Sequence, residues 1–196
     1  MMVKICGITN RDDARAAVEG GASAIGLNFY EKSPRYVEPE EARSILEEVP
    51  PSVLKVGVFV NQAAERAAAV ARDLGLDVVQ IHGESAEPPG GLRVWRGIRV
   101  TAGFDVAALE TMPAEAFLLD TPSDSLYGGT GQSFDWSLAR GARRPVILAG
   151  GLDDTNVRRA IAEAQPWGVD ACSRLESAPG RKDHLKMARF LKAALS

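Results

Sequence analysis

Gly21-Ala22-Ser23-Ala24-Ile25-Gly26-Leu27-Asn28-Phe29 decides the fold. Gly21 stops a helical run, Ser23 turns the chain, and Ala24–Phe29 is short, apolar and extended. Side chains on a strand alternate between two faces. Ile25, Leu27 and Phe29 form an apolar face, and Ala24, Gly26 and Asn28 form the other. The same design recurs at Gly75-Leu76-Asp77-Val78-Val79 and Gly168-Val169-Asp170-Ala171-Cys172. Each time a glycine is expected to stop a helix before a strand begins.

Outward from these repeats, eight strand segments follow one another. They are Val3–Cys6, Ala24–Phe29, Lys55–Val60, Val78–Ile81, Val94–Val100, Phe117–Asp120, Val146–Ala149 and Val169–Cys172. Helical patterns lie between them at Arg11–Glu19, Pro39–Glu48, Ala63–Leu74, Asp105–Thr111, Asp135–Ala142, Thr155–Ala164 and Lys182–Leu195. Glu84–Leu92 breaks the rhythm. Pro88, Pro89, Gly90 and Gly91 leave room for one helical turn at most, so the fourth helix is degenerate. Strands joined by helical crossovers run parallel. Dividing 196 residues by eight gives about 24 per unit, the low end for a (β/α)8 barrel. The expected fold is therefore α/β, one (β/α)8 TIM-barrel domain over residues 1–196. An open doubly wound sheet is the alternative.

In a barrel the apolar faces pack outward against helices. Lys4, Cys6, Asn28, Gln80, His82 and Asp120 then point inward, several of them at strand C-termini, where barrel active sites sit.

Composition narrows the function classes. Apolar residues make up 45% and charged residues 25%, which fits a globular chain and excludes disorder. Net charge is −3 with mixed signs and no basic run, so no nucleic-acid partner is expected. No apolar run approaches a membrane span, and MMVKICGITN turns polar too soon for a secretory segment. Two cysteines 166 positions apart make no disulfide framework, so a cytoplasmic protein with reduced thiols is expected.

Three loops suit an anion: Gly128-Gly129-Thr130-Gly131, Gly150-Gly151 after the seventh strand, and Cys172-Ser173 after the eighth. Cys6 and Asp120 place a thiol and a carboxyl at the C-ends of different strands. A thiolate can remove a carbon-bound proton, and a desolvated carboxyl can stay protonated and act as an acid. Alone, each is more often a core thiol or a turn carboxylate. Gln80 and His82 are expected to line the substrate site. Cys6, His82 and Cys172 share the mouth, but no close ligand pair accompanies them, and no metal is expected. Lys4 has the chemistry for a Schiff base, yet an ion pair with Asp170 on the neighbouring strand suits its depth better. Arg35 in Ser33-Pro34-Arg35 offers a planar fork for a carboxylate. His184 is expected at the surface.

Lys4-Ile5-Cys6-Gly7-Ile8-Thr9 resembles the phosphoribosylanthranilate isomerases of tryptophan biosynthesis. The resemblance continues through Ser33-Pro34-Arg35, Val56–Asn61, Val79-Gln80-Ile81-His82-Gly83 and Leu119-Asp120-Thr121. It runs on through Gly129-Thr130-Gly131, Phe134-Asp135-Trp136, Leu148–Leu152, Val169-Asp170 and Pro179-Gly180-Arg181-Lys182-Asp183. It implies a cofactor-free Amadori rearrangement of a small phosphosugar-anthranilate substrate by a monomer or homodimer. Asp120 would be the general acid, Cys6 the general base, and Arg35 the carboxylate ligand. Gly131, Gly150, Gly151 and Ser173 would hold the phosphate. Where the family reads Ser-Ser-Gly-Val-Glu, this chain has Cys172-Ser173-Arg174-Leu175-Glu176. If that glycine needs a positive φ, Arg174 is strained; its guanidinium is also placed to add a phosphate contact. Other readings are a different phosphosugar barrel, such as an aminoimidazole carboxamide ribotide isomerase, and a noncatalytic phosphate-ligand binder.

Overall fold

The computed structural model describes residues 1–83, 90–101, 103–121 and 135–196. Its strands are β1 (Met2–Cys6), β2 (Ala24–Asn28), β3 (Leu54–Val60), β4 (Val78–His82), β5 (Arg93–Arg99), β6 (Ala116–Asp120), β7 (Val146–Leu148) and β8 (Gly168–Ala171). Each pairs in parallel with the next, and β8 pairs with β1, closing the barrel. Closure rules out the open doubly wound sheet. No helix among the described residues is long and apolar enough to cross a membrane.

The α-helices are α1 (Arg11–Glu19), α2 (Pro39–Leu46), α3 (Ala64–Leu74), α4 (Val157–Ala164) and α5 (His184–Leu195). Asn10 caps α1 by accepting from the Asp13 amide at 2.9 Å, and Pro39 opens α2 where its missing N–H costs nothing. Two expected helices are corrected. Over the expected Asp105–Thr111 and Asp135–Ala142 the chain forms 3-10 turns instead, Val106–Thr111 and Trp136–Ala139, each capped by an aspartate. Pro113 and Gly141 follow closely and leave no room for extension. The expected degenerate fourth helix falls mainly on residues 84–89, outside the described residues.

The last helix also starts later than expected. Asp183 caps α5 by accepting from the Leu185 and Lys186 amides. Lys182 belongs instead to a small antiparallel hairpin, β9 (Glu176–Ala178) with β10 (Arg181–Lys182). The helix-stop repeat holds at Gly75, which ends α3 in the left-handed region at φ 62°. It fails at Gly168. There Gln165 takes the left-handed position at φ 51°, while Gly168 sits inside β8, where a Cβ would lie 2.8 Å from the Met2 carbonyl oxygen.

Strand alternation builds two cores. Val3, Ile5, Ile25, Leu27, Val79, Ile81, Phe117 and Leu119 face outward and pack under the helices. Met2, Ala24, Val56, Val78, Trp95, Ala116, Leu118, Ile147 and Ala149 fill the barrel interior. Trp95 is fully buried, a large apolar area withdrawn from water. Above this floor, Lys4 and Asp170 form an ion pair at 2.9 Å, with Lys4 wholly buried. Burial opposes the Lys4 charge, but Asp170 and Cys6 outweigh it and hold its pKa above the ordinary lysine value. Lys4 thus stays an ammonium, as its pairing with Asp170 leads one to expect.

Candidate active site

Cys6 ends β1, and Asp120 ends β6; both line one cavity at the C-terminal mouth. Asn28, Arg35, Gln80, His82, Gly150, Gly151, Ser173 and Arg174 line it too. A hydrogen bond with Cys172 lowers the Cys6 thiol to about 7, with help from Lys4 and against burial. The Cys172 thiol moves up, through its interaction with Cys6 and its burial, and its Sγ lies 3.9 Å from Glu176 Oε1. Asp120 moves the other way from Cys6. Burial raises its carboxyl to about 6, although Oδ1 accepts the Thr121 amide at 2.8 Å. The site therefore ionises a thiol easily and protonates a carboxyl easily.

His82 is pushed down to about 4 by burial, then by Lys4 and Arg99, so its imidazole is neutral at physiological pH. Its Nε2 lies 2.7 Å from Gln80 Nε2. Among the described residues no group of three histidine, cysteine or carboxylate side chains is arranged to hold a metal.

The Arg35 fork already holds one carboxylate of the protein itself. Its Nε and Nη2 donate to the two carboxylate oxygens of Glu176, both at 2.8 Å. That leaves the Nη1 side for a second anion. Asn28 and Ser33 fix the loop beneath it: Asn28 Nδ2 donates to Ser33 Oγ at 3.2 Å, and Ser33 Oγ accepts the Arg35 amide at 3.1 Å. Glu176 also accepts from Lys182 Nζ at 3.1 Å, and Lys182 donates to the Cys172 carbonyl at 3.1 Å. Burial works to raise the Glu176 carboxyl, but the two cations outweigh it and lower it. Glu176 and Lys182 are functional candidates that sequence reasoning missed. Both sat inside quoted motifs, but nothing local connects them to Arg35.

On the opposite side, Gly150 and Gly151 adopt φ 83° and 68°. A Cβ on Gly150 would run into Thr121 and lie 2.8 Å from Asp120 Oδ1, so glycine lets this loop press against the acid. Asn156 braces the loop, donating to the Gly151 carbonyl and accepting from the Asp153 amide. Ser173 opens a 3-10 turn, Ser173–Leu175, beside it. Gly131, the remaining expected phosphate contact, lies outside the described residues. The strain expected at Arg174 is absent: among the described non-glycine residues only Asn61 and Gln165 have positive φ. Arg174 Nη1 lies 3.7 Å from Asp153 Oδ2, with the side chain about half exposed. His184 is exposed as expected, with Nε2 2.8 Å from Asp13 Oδ1.

Residues 3–193 match the family model described as N-(5'phosphoribosyl)anthranilate (PRA) isomerase. The N-(5'-phosphoribosyl)anthranilate isomerase of Solibacter usitatus is 53% identical, the match covering 99% of this chain and 97% of that protein. The crystal structure of phosphoribosyl anthranilate isomerase from Thermotoga maritima has a TM-score of 0.88 at 41% identity, covering 100% of this chain and 98% of that one. A phosphoribosyl anthranilate isomerase in complex with reduced 1-(o-carboxyphenylamino)-1-deoxyribulose 5-phosphate is similar at TM-score 0.85 and 41% identity, covering 100% of this chain and 98% of that one. The motifs from Lys4 to Asp183, the closed barrel and these full-length likenesses agree: the chain belongs to the N-(5'-phosphoribosyl)anthranilate isomerase family.

Proposed function

We propose that Asp120 and Cys6 are the acid and base with which this isomerase converts N-(5'-phosphoribosyl)anthranilate to 1-(2-carboxyphenylamino)-1-deoxyribulose 5-phosphate. One observation carries the assignment: at one mouth a carboxyl is raised to about 6 and a thiol lowered to about 7. Groups displaced in opposite directions are the mark of an acid–base pair. Asp120 gives its proton to the furanose ring oxygen, and the ring opens to an iminium on the substrate's own nitrogen. The Cys6 thiolate removes the C2′ proton. The iminium accepts the electron pair, so the substrate carries its own electron sink. The enolamine then tautomerises to the ketone.

Arg35 holds the anthranilate carboxylate on its Nη1 side, oriented by Glu176. Gly131, Gly150, Gly151 and Ser173 hold the phosphate, with Arg174 beside them. Gln80 and the neutral His82 line the wall nearer the sugar. The protein acts as a monomer or homodimer in the cytoplasm, without nucleic acid.

The test follows loss of substrate fluorescence with freshly made phosphoribosylanthranilate. The productive form needs protonated Asp120 together with ionised Cys6. With the carboxyl raised and the thiol lowered toward one another, the protonated acid and the ionised base coexist in a minority of molecules near neutral pH. The kcat/KM profile is a bell whose acid limb is protonation of Cys6 and whose alkaline limb is ionisation of Asp120. Residual activity in Asp120→Asn is expected to lose the alkaline limb and keep the acid one. A variant that keeps both limbs, or near-full turnover, would remove Asp120 from the mechanism.

A further inference from the structure

We propose that Cys6 and Cys172 are an oxidative modification site: a hydroperoxide converts them to a reversible disulfide across the β1–β8 seam. The closing pair of strands runs in register from Met2 opposite Gly168 to Ile5 opposite Ala171, which makes Cys6 and Cys172 the next residues in line. Lys4 and Asp170, two positions back, meet inside the barrel at 2.9 Å, so the same alternation turns both thiols inward. Neighbouring strands lie about 4.8 Å apart, inside the Cα separation that a disulfide accepts. Gly7 fixes the position further: a Cβ there would lie 2.8 Å from Cys172 Sγ, so that sulfur rests against the end of β1. Each thiol displaces the other's ionisation, and Cys172 Sγ also lies 3.9 Å from Glu176 Oε1. Both line the open cavity, so a small oxidant reaches them. They are the chain's two cysteines.

The chemistry balances in two steps. The Cys6 thiolate, formed readily at neutral pH, attacks a peroxide oxygen. The O–O bond breaks, an alkoxide or hydroxide leaves and takes a proton, and Cys6 becomes a sulfenic acid. Cys172 then attacks the Cys6 sulfur. The S–O bond breaks, hydroxide leaves, and the Cys172 proton turns it into water. Two thiols and one hydroperoxide give one disulfide, one alcohol or water, and one further water. Lys182 Nζ, 3.7 Å from Cys172 Sγ, offers a cation to the second thiolate as it forms. A disulfide leaves no thiolate at Cys6 to take the C2′ proton. That consequence rests on the reading of Cys6 as the base.

The whole protein is treated with hydrogen peroxide, quenched, and digested without reductant. The expected product is a peptide joining Cys6 to Cys172 of one chain, with an intact mass lower by two hydrogens. Turnover falls by more than about a hundredfold, as for removal of a general base, and dithiothreitol restores mass and turnover together. Cys172→Ser, compared with its own reduced sample, gives no joined peptide and gains oxygen at Cys6. Wild type that gains oxygen at Cys6 without a joined peptide, or that cross-links between chains, overturns the proposal and leaves the base assignment standing. A joined peptide in protein that still turns over at full rate upholds the disulfide and overturns Cys6 as base.

Discussion

The floor and the mouth of the barrel lie on the same strands and the same inward face, yet they differ in every chemical respect. Met2 and Cys6, Ala24 and Asn28, Val78 and His82, Ala116 and Asp120 are each four positions apart. At roughly 3.3 Å per residue the two ends are about 13 Å apart. The floor residues are buried hydrophobics packed into one cluster. The mouth residues are polar and line the cavity, and Cys6, His82 and Asp120 are displaced from their ordinary ionisation. Lys4 and Asp170 sit between the two as a buried ion pair whose charges reach the mouth. Stability and chemistry are thus separated along the strands rather than divided among them, and substitutions at the two ends should fail in different ways.

The largest effect is expected at the mouth. Cys6→Ser keeps the size but puts ionisation out of reach at neutral pH, so kcat should fall by about 10²–10⁴ while the unfolding midpoint holds. Cys172→Ser should reduce kcat far less. Near-wild-type turnover by Cys6→Ser would erase the contrast between the two ends. At the floor, Trp95→Ala should cost about 3–5 kcal/mol of stability, measured by denaturant titration, with kcat per folded molecule nearly unchanged. A loss of turnover in the folded fraction would show that the floor shapes the mouth after all.

Glu176→Gln should have an intermediate effect. It removes the charge that holds Arg35 and Lys182, and KM should rise about tenfold with a smaller change in kcat. Equal losses in both constants would place Glu176 in the transition state instead of in positioning. The smallest effect is expected at Arg174→Gly, which should leave KM within a few-fold. A rise above about tenfold, or 1.4 kcal/mol, would make its guanidinium a phosphate ligand.

The mouth's polarity was legible because strand alternation is local: reading every second residue from Lys4 to Cys6 or from Gln80 to His82 already separates inside from outside. Helix length after β5 and β6 was less legible, since one aspartate cap opens a 3-10 turn as well as an α-helix. The anchoring of Arg35 was not legible at all. Its partner Glu176 stands 141 positions away, brought near only when β8 closes against β1. Gly168 misled for a related reason. Its need for a bare backbone comes from Met2 across that same seam, not from the helix before it.

Two glycines inside the barrel bind the chain's evolutionary choices together. A Cβ on Gly97 would strike the His82 ring, and a Cβ on Gly26 would lie 2.9 Å from Cys6 Sγ and 3.0 Å from Lys4 Cε. Each large side chain occupies volume that its neighbour on the adjoining strand gives up. Such positions cannot drift one at a time. An alanine at 97 becomes acceptable only once the imidazole has been exchanged for something smaller, and the histidine can return only after the alanine has gone. The lineage of this barrel should therefore carry these pairs as linked changes, and a library that randomises 82 and 97 together will reach sequences that stepwise substitution never visits.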